Sequence, residues 1–282
     1  MTDHGTSHLD GRVVVITGAG GGFGRLMAEM AAARGAKVVL GDIDEPAAAA
    51  AAEGIGASGG EAEAVGVDVT DLAQVQALVG RAVERFGAVD VMVNNAGVMP
   101  LAFFADHAQA HAAWVRCIDI NLKGVLNGIV AVHDQMQAQG RGHVVNISSI
   151  YANAGTAGSG VYSATKAAVA VLSDSLRVES QGTIKVTVVR PTGVLGTGLA
   201  GGVVNPMAAV GIAGQNNERY MERVMASIGG TLEPELTDVD DTRYWAIQPE
   251  VVAAEVLHAI DQPWGVDIGD ITIRATGEDF VI

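Results

Sequence analysis

The chain has 282 residues, 49% of them hydrophobic, which is enough for one large domain or two small ones with a substantial core. Its net charge of −15 argues against nucleic acid or an anionic membrane as a partner, and no apolar run is long enough to span a bilayer. Cys117 is the only cysteine and the first ten residues lack a basic-then-apolar leader, so we expect no disulfides and a cytoplasmic location.

Apolar runs and helix-favouring stretches alternate along most of the chain. Strands are predicted at 12–17, 36–42, 63–68, 89–93, 142–148, 184–190 and 268–274. Helices are predicted at 22–34, 45–53, 71–86, about 108–138, 161–181 and 249–261. Because no linker interrupts this alternation, we predict a single α/β domain over residues 1–282, with a seven-stranded parallel sheet and helices on both faces.

The first strand leads into a glycine-rich turn. Residues 17–24, Thr-Gly-Ala-Gly-Gly-Gly-Phe-Gly, lie between this strand and an alanine-rich helix. Glycines permit a tight turn and let the backbone approach a pyrophosphate closely, and the helix N-terminus offers unpaired N–H groups to phosphate oxygens. A flexible linker would not need this order of strand, glycines and helix, so the turn predicts a dinucleotide-binding site.

The second strand ends at an acidic residue, Asp42. It lies 24 residues after Gly18, close to the offset of ~20 residues at which such folds bind the adenine ribose. A carboxylate there accepts hydrogen bonds from the ribose hydroxyls and repels a 2′-phosphate, and Ile43 follows instead of a basic residue. The sequence therefore favours NAD over NADP, with Arg25 as the nearby cation that argues otherwise. A plain turn residue at the strand end is the alternative interpretation of Asp42.

Tyr162 and Lys166 lie four residues apart and therefore share a face of the predicted helix. A fixed ammonium beside a phenol favours the phenolate and lowers the phenol pKa from its usual value near ~10. Ser149 precedes Tyr162 by thirteen residues and follows a predicted strand. Tyr-x-x-x-Lys also occurs by chance on exposed helices, but after a nucleotide-binding turn it predicts a proton-transfer site.

These segments, in this order, resemble the classical short-chain dehydrogenase/reductase family. Residues 17–24 match its TGxxxGxG turn, residues 94–97 match its Asn-Asn-Ala-Gly segment, and residues 162–166 match its Tyr-x-x-x-Lys pair. Asp68-Val69, Asn121 and the segment 146–149 match three further family positions. The resemblance covers about residues 9–195 and the last ~35 residues. The glycine run also permits the TGxxGxxG spacing of the family's extended branch, whereas the chain length favours the classical one.

The resemblance implies a Rossmann-like, doubly wound domain with a substrate lid at about 192–248. It implies cofactor contacts by the following residues: Gly18, Gly20, Gly22, Phe23, Gly24, Asp42, Ile43, Asp68, Val69, Asn95, Ala96, Gly97, Tyr162, Lys166, Pro191, Gly193, Val194 and Thr197. The sequence departs from the family after the sixth strand. Thr192 stands where the family has glycine, and Thr197 comes one residue later than the family's threonine.

The catalytic residues implied by the resemblance are Asn121, Ser149, Tyr162 and Lys166. Tyr162 would exchange a proton with a secondary alcohol or ketone, and Lys166 would lower its pKa and bind the nicotinamide ribose. Ser149 would hold the substrate oxygen, and Asn121 would anchor a water that links Lys166 to solvent. The alternatives are a strand-end cap for Ser149 and a helix hydrogen bond for Asn121.

The expected substrate is a bulky, apolar alcohol or ketone, because apolar residues at 98–104 and 150–153 follow two predicted strands. The resemblance also implies a homodimer or homotetramer. His107 and His111 have a spacing that can bind metal, but no further ligand pattern accompanies them, so we expect no metal site.

Two other functions fit parts of the sequence. One is NADPH-dependent reduction of a 3-oxoacyl group on an acidic carrier, against which Asp42 and the acidic charge argue. The other is a nucleotide-binding regulatory or scaffold protein without catalysis, against which the complete catalytic set argues.

Overall fold

The computed structural model describes residues 7–194 and 196–282. The first six residues, which belong to the segment considered above for a leader, and Leu195, within the predicted lid, lie outside the described residues.

Seven parallel strands form one sheet, as predicted. They are β1 (Val13–Thr17), β2 (Lys37–Asp42), β3 (Glu61–Gly66), β4 (Val91–Asn94), β5 (Gly142–Ile147), β6 (Ile184–Pro191) and β7 (Asp270–Ile273). The order across the sheet is β3-β2-β1-β4-β5-β6-β7. The chain thus leaves the sheet at β3 and re-enters beside β1, which creates the crevice between β1 and β4 where such sheets bind ligands.

Ten α-helices occur among the described residues. They are α1 (Gly22–Ala32), α2 (Glu45–Ala57), α3 (Leu72–Phe86), α4 (His107–Ile118), α5 (Gly124–Gln139), α6 (Gly160–Glu179), α7 (Val210–Ala213), α8 (Asn217–Ile228), α9 (Pro234–Thr237) and α10 (Pro249–Ile260). Within the described part of the chain, none of them has both the length and the apolar character needed to cross a membrane.

Two apolar cores cover the two faces of the sheet. Val14 and Ile16 of β1 pack with α1, α2 and α10, whereas Val13 and Val15 pack with α3, α5 and α6. Successive side chains of a strand point to opposite faces, so a strand covered on both sides must be apolar at every position. This explains the continuous Val-Val-Val-Ile run of β1.

The predicted long helix at about 108–138 is divided. A π-helical turn, Asp119–Lys123, separates α4 from α5. Inside this turn lies Asn121, whose side-chain amide donates to the Val98 carbonyl oxygen at 2.9 Å and whose Oδ1 accepts from the Val98 N–H at 2.9 Å. The wider turn thus places Asn121 against the chain that follows β4, a contact that local periodicity does not encode.

The chain between β6 and α10, residues 192–248, is called here the β6–α10 segment. It contains α7, α8, α9 and three 3₁₀ turns. Its two ends meet beside the sheet, because the Ile247 N–H donates to the Gly193 carbonyl oxygen at 2.9 Å. The segment therefore starts and ends next to the carboxyl end of β6.

Candidate active site

A cavity of about 1070 Å³ lies at the carboxyl ends of the strands. Its wall includes the glycine turn, the residues that follow β2, β4, β5 and β6, and much of the β6–α10 segment. Most of the predicted site residues line it: Gly18, Gly22, Phe23, Asp42, Ile43, Asp68, Val69, Asn95, Ala96, Gly97, Ser149, Tyr162, Lys166, Pro191, Gly193, Val194 and Thr197. Gly20, Gly24 and Asn121 are the predicted site residues outside this lining.

The glycine turn leaves the start of α1 open. Its N-cap residue, Gly21, provides no side-chain hydrogen bond, so the first backbone N–H groups of α1 have no side-chain acceptor. At Gly24, a Cβ would lie 2.1 Å from the Gly18 carbonyl oxygen. Glycine is thus required at position 24, because α1 packs closely against the turn there. The uncapped start of α1 fits the pyrophosphate of a dinucleotide.

Asp42 is held in place by the same turn. Its Oδ2 accepts from the Gly20 N–H at 2.8 Å, and its Oδ1 accepts from the Asp44 N–H at 2.9 Å. Gly20 therefore acts through Asp42 and does not itself line the cavity. The carboxylate borders the cavity beside Ile43, in a position fixed before any ligand binds.

Asn95 links the chain after β4 to the glycine turn. Its Nδ2 donates to the carbonyl oxygens of Thr17 at 2.9 Å and Gly18 at 3.0 Å. In return, Thr17 Oγ1 accepts from the N–H groups of Asn95 at 3.1 Å and Ala96 at 3.2 Å. Thr17, which was not among the predicted site residues, thus fixes the two segments that border the crevice.

Tyr162 is buried on α6, next to Ser149. Burial raises its pKa above the ordinary value, and this effect outweighs the hydrogen bond from Ser149, which lowers it. Burial is the larger effect on this pKa, and the prediction that Lys166 lowers it stays a prediction. The Lys166 Nζ lies 5.8 Å from the Tyr162 ring centroid and donates instead to the Ile147 carbonyl oxygen at 2.8 Å.

Lys166 is itself buried, and burial lowers its pKa to about 8. Ser148, the neighbour of Ser149, points elsewhere, since its Oγ donates to the Lys166 carbonyl oxygen at 2.8 Å. Ser149 is therefore the serine of this pair that lies next to Tyr162.

Asn121 lies behind this group. A Cβ at Gly97 would come within 3.3 Å of Asn121 Oδ1 and 3.6 Å of Lys166 Nζ, so Gly97 separates the two side chains. Asn121 also donates to Cys117 Sγ at 3.3 Å and to Thr165 Oγ1 at 3.4 Å. Its amide positions the chain after β4 and has no direct contact with Lys166.

The other end of the cavity is apolar. Leu101, Ile150 and Ile212 line it, and Tyr151 packs edge-on against Tyr162 with ring centroids 5.5 Å apart. Phe103 and Phe104, within the predicted pocket wall, lie outside the lining, and Phe104 is 73% exposed. The apolar residues of α8 are divided between two environments, because Tyr220, Met221 and Val224 line the cavity while Met225 and Ile228 are exposed.

Two further lining residues were not predicted to belong to the site, Phe280 and Arg116. Phe280 is an isolated aromatic residue near the end of the sequence and lies in no periodic pattern. Asp119, close to Arg116 in the sequence, lines the cavity as well. Among the described residues, no three His, Cys, Asp or Glu side chains lie together in a group that could hold a metal ion.

A family model described as short chain dehydrogenase matches residues 12–207. The chain belongs to the short-chain dehydrogenase family. This short-chain dehydrogenase is 33% identical over 273 residues to an uncharacterized oxidoreductase of Listeria monocytogenes, with 96% of this chain and 98% of that one covered. It is 42% identical over 188 residues to a 3-alpha-(or 20-beta)-hydroxysteroid dehydrogenase of Mycobacterium tuberculosis, with 66% and 70% covered.

A solved structure extends this likeness to a complex with ligands. It is a 7 alpha-hydroxysteroid dehydrogenase complexed with NADH and 7-oxo glycochenodeoxycholic acid, at a TM-score of 0.77 and 26% identity. The match covers 95% of this chain and 94% of the other. The short-chain dehydrogenase described here is thus an oxidoreductase with a Rossmann-like fold, and a nicotinamide dinucleotide is its cofactor.

Proposed function

We propose that this enzyme interconverts a bulky, apolar secondary alcohol and its ketone, with NAD as the hydride carrier and Tyr162 as the general acid/base. One observation carries the proposal. A single cavity joins the glycine turn and Asp42 at one end, Ser149, Tyr162 and Lys166 in the middle, and an apolar wall at the other end.

The chain's own residues supply positioning and proton transfer. The bound dinucleotide supplies the hydride chemistry. Ser149 holds the substrate oxygen next to the Tyr162 hydroxyl, which donates its proton in ketone reduction and accepts one, as phenolate, in alcohol oxidation. Lys166 binds the nicotinamide ribose and delivers positive charge to the phenol. Asn121 anchors the water that links Lys166 to solvent.

NAD is preferred over NADP in this proposal because of the charge at the ribose end. Asp42 is fixed there by the Gly20 N–H, and Ile43 beside it is apolar. Arg25, the cation that could have favoured a 2′-phosphate, forms an ion pair with Glu29 at 2.7 Å. The remaining cofactor contacts in this proposal are the cavity-lining residues given above. Gly20 and Gly24 act through the shape of the turn.

The apolar end supports a substrate with few polar groups. The 3-alpha-(or 20-beta)-hydroxysteroid dehydrogenase and the 7 alpha-hydroxysteroid dehydrogenase that resemble this chain are named for bulky alicyclic alcohols. We include such alcohols in the substrate class of this enzyme. The lid over this substrate is the β6–α10 segment.

The proposal extends to assembly and location. Helices α4, α5 and α6 expose several apolar side chains, which fits a homodimer or homotetramer: Val115, Ile118, Leu126, Val130, Val171 and Val178. A cytoplasmic location fits Cys117, which is a free, buried thiol and the only cysteine of the chain.

The test combines cofactor binding with turnover. NADH and NADPH are titrated by fluorescence, and initial rates are measured with alicyclic, aromatic and straight-chain ketones and alcohols. We expect tighter binding of NADH, turnover of bulky apolar substrates, and a loss of at least about 100-fold in kcat for Tyr162→Phe with NADH binding retained. A Tyr162→Phe variant with full turnover would refute the proposed acid/base, and an absence of turnover with every substrate would refute the proposed reaction.

A further inference from the structure

The end of the chain returns to the active-site cavity after β7. Phe280 lines the cavity and packs in the same apolar cluster as Tyr162, Tyr151 and Ile212. Its ring centroid lies 5.8 Å from that of Tyr220, which in turn lies 6.1 Å from that of Trp245. Three aromatic rings from α8, from the chain before α10 and from the carboxyl-terminal residues thus form one continuous wall of the cavity.

A buried carboxylate holds Phe280 in this wall. The preceding residue, Asp279, has no exposed surface, and it accepts from Arg219 Nε at 2.5 Å, Arg223 Nη1 at 3.0 Å and Trp245 Nε1 at 2.9 Å. Its main-chain oxygen accepts from Asn216 Nδ2 at 3.0 Å. All four donors belong to the β6–α10 segment. Asp279 therefore fixes that segment and the end of the chain relative to each other.

Phe280 also reaches the part of the cavity that follows β6. A Cβ at Gly193 would lie 2.8 Å from two carbons of the Phe280 ring, so the ring fills the space that a side chain at position 193 would need. Gly193 lies two residues after the end of β6, among the cofactor contacts that the family resemblance implies. Phe280 consequently fills the space next to Gly193 and belongs to the same apolar cluster as Tyr162.

The arginines near this wall all take part in ion pairs. Arg219 and Arg223 are paired with Asp279, Arg243 pairs with Asp241 at 2.8 Å, and Arg274 pairs with Glu278. These are all the basic residues of the region 191–282, which carries 14 acidic side chains. An aromatic surface whose neighbouring arginines are held in ion pairs favours contact with flat, uncharged hydrocarbon rings.

We propose that Phe280, held by Asp279, is a specificity-determining residue that selects flat, uncharged ring ketones and ring alcohols over flexible chains. This deepens the proposed function and rests on it. Phe280 touches the substrate, whereas Asp279 is a positioning residue that acts through Phe280 and Trp245.

The test compares two ketones with the same number of carbon atoms, 2-decalone, which is a fused ring system, and 2-decanone, which is a flexible chain. Specificity is the ratio of their kcat/KM values with NADH, measured for the wild type, Phe280→Ala and Phe104→Ala. Phe104→Ala removes the same ring from a site outside the cavity lining. A fault in folding or cofactor binding lowers kcat/KM for both ketones and leaves their ratio unchanged. A change in the ratio therefore measures the effect of the aromatic wall alone.

We expect the wild type and Phe104→Ala to share a preference for 2-decalone, and Phe280→Ala to reduce that preference about 10-fold, mainly through a higher KM for 2-decalone. An unchanged ratio in Phe280→Ala, or a wild type without a ring preference, overturns the inference. Binding of 2-decalone to the NADH complex, followed by tryptophan fluorescence, separates the two proposals. Ring-selective binding that depends on Phe280 but leads to no turnover supports the proposed role of Phe280 and refutes the proposed reaction. Failure to bind 2-decalone refutes both proposals.

Discussion

The protonation state of Tyr162 determines how the two directions of the reaction depend on pH. Burial raises the pKa of this phenol, so Tyr162 keeps its proton at neutral pH. The protonated phenol is the form that ketone reduction needs, whereas alcohol oxidation needs the phenolate. We therefore expect the reduction rate to be nearly flat between about pH 6 and 8 and the oxidation rate to rise up to about tenfold per pH unit.

Lys166 adds a second feature to this profile. Burial lowers its pKa to about 8, so its charge, which favours the phenolate, is present below that pH and is lost above it. The oxidation rate of the wild type should therefore flatten near that pH, and Lys166→Met should lack the break. Initial rates in both directions, measured with saturating NAD or NADH, check this. An oxidation rate that falls as pH rises from neutral would contradict it.

Asp42 should determine the choice between NAD and NADP through charge. In Asp42→Asn the side-chain oxygen can still accept from the Gly20 N–H, while the repulsion of a 2′-phosphate disappears. Removal of one negative charge close to a 2′-phosphate is worth about 1–2 kcal/mol at a solvated surface. The NADP/NAD ratio of kcat/KM should therefore rise about tenfold.

Asp44→Asn is the matched control for this change. Asp44 lies two residues away, outside the cavity lining, where its side chain accepts from the Ala47 N–H at 3.1 Å as the N-cap of α2, a role that Asn fills equally well. Equal NADP/NAD ratios of kcat/KM in Asp42→Asn and Asp44→Asn would contradict the proposed role of the Asp42 charge in the NAD preference.

Among the secondary-structure elements, those built from local patterns were predictable and those that depend on distant contacts were not. β1 is covered on both faces, so its sequence is a continuous apolar run that predicts a strand. The π-helical turn at Asp119–Lys123 depends on hydrogen bonds from Asn121 to Val98, far along the chain. The sequence around residue 121 has ordinary helical periodicity and therefore predicted one unbroken helix.

The same distinction explains the active site. Tyr162 and Lys166 share one helix, and Ser149 lies at a fixed spacing before them, so short segments were enough to predict these positions. The site's contact between Asp279 and α8 joins residues about 60 positions apart, and a single Asp-Phe pair near the end of a sequence has no distinguishing pattern. The burial that raises the Tyr162 pKa could not be predicted, because the sequence gives charges but not depth of burial.

Asp279 should stabilise the β6–α10 segment against the rest of the molecule. Asp279→Asn keeps the shape and the bond from Trp245 but removes the charge that faces Arg219 and Arg223. We expect the free energy of unfolding to fall by about 1–3 kcal/mol, toward the lower end because Arg219 is half exposed. The urea midpoint measures this loss. The surface pair of Asp174 and Arg177 provides the control, and Asp174→Asn should leave the midpoint nearly unchanged.

At the scale of the whole molecule, six apolar side chains lie exposed on three helices that could pack against another copy of the chain. Val171 and Val178 are 65% and 67% exposed and, seven residues apart, lie on one face of α6. α4 packs against α6 and exposes Val115 and Ile118, while α5 exposes Leu126 and Val130. Isolated apolar residues are common on protein surfaces, whereas a group on adjoining helices is typical of an interface.

A pair of charges in this face should therefore dissociate the proposed homodimer or homotetramer. Glutamate is a good helix former, so Val171→Glu with Val178→Glu should leave α6 intact while it places two unpaired carboxylates in an apolar interface, which is costly. Light scattering after size exclusion should give a multiple of the chain mass for the wild type and a smaller assembly for the double variant. Val239→Glu, at an exposed valine outside α4, α5 and α6, should assemble as the wild type does. A monomeric wild type, or a double variant with unchanged mass, would mean that this face is not the interface.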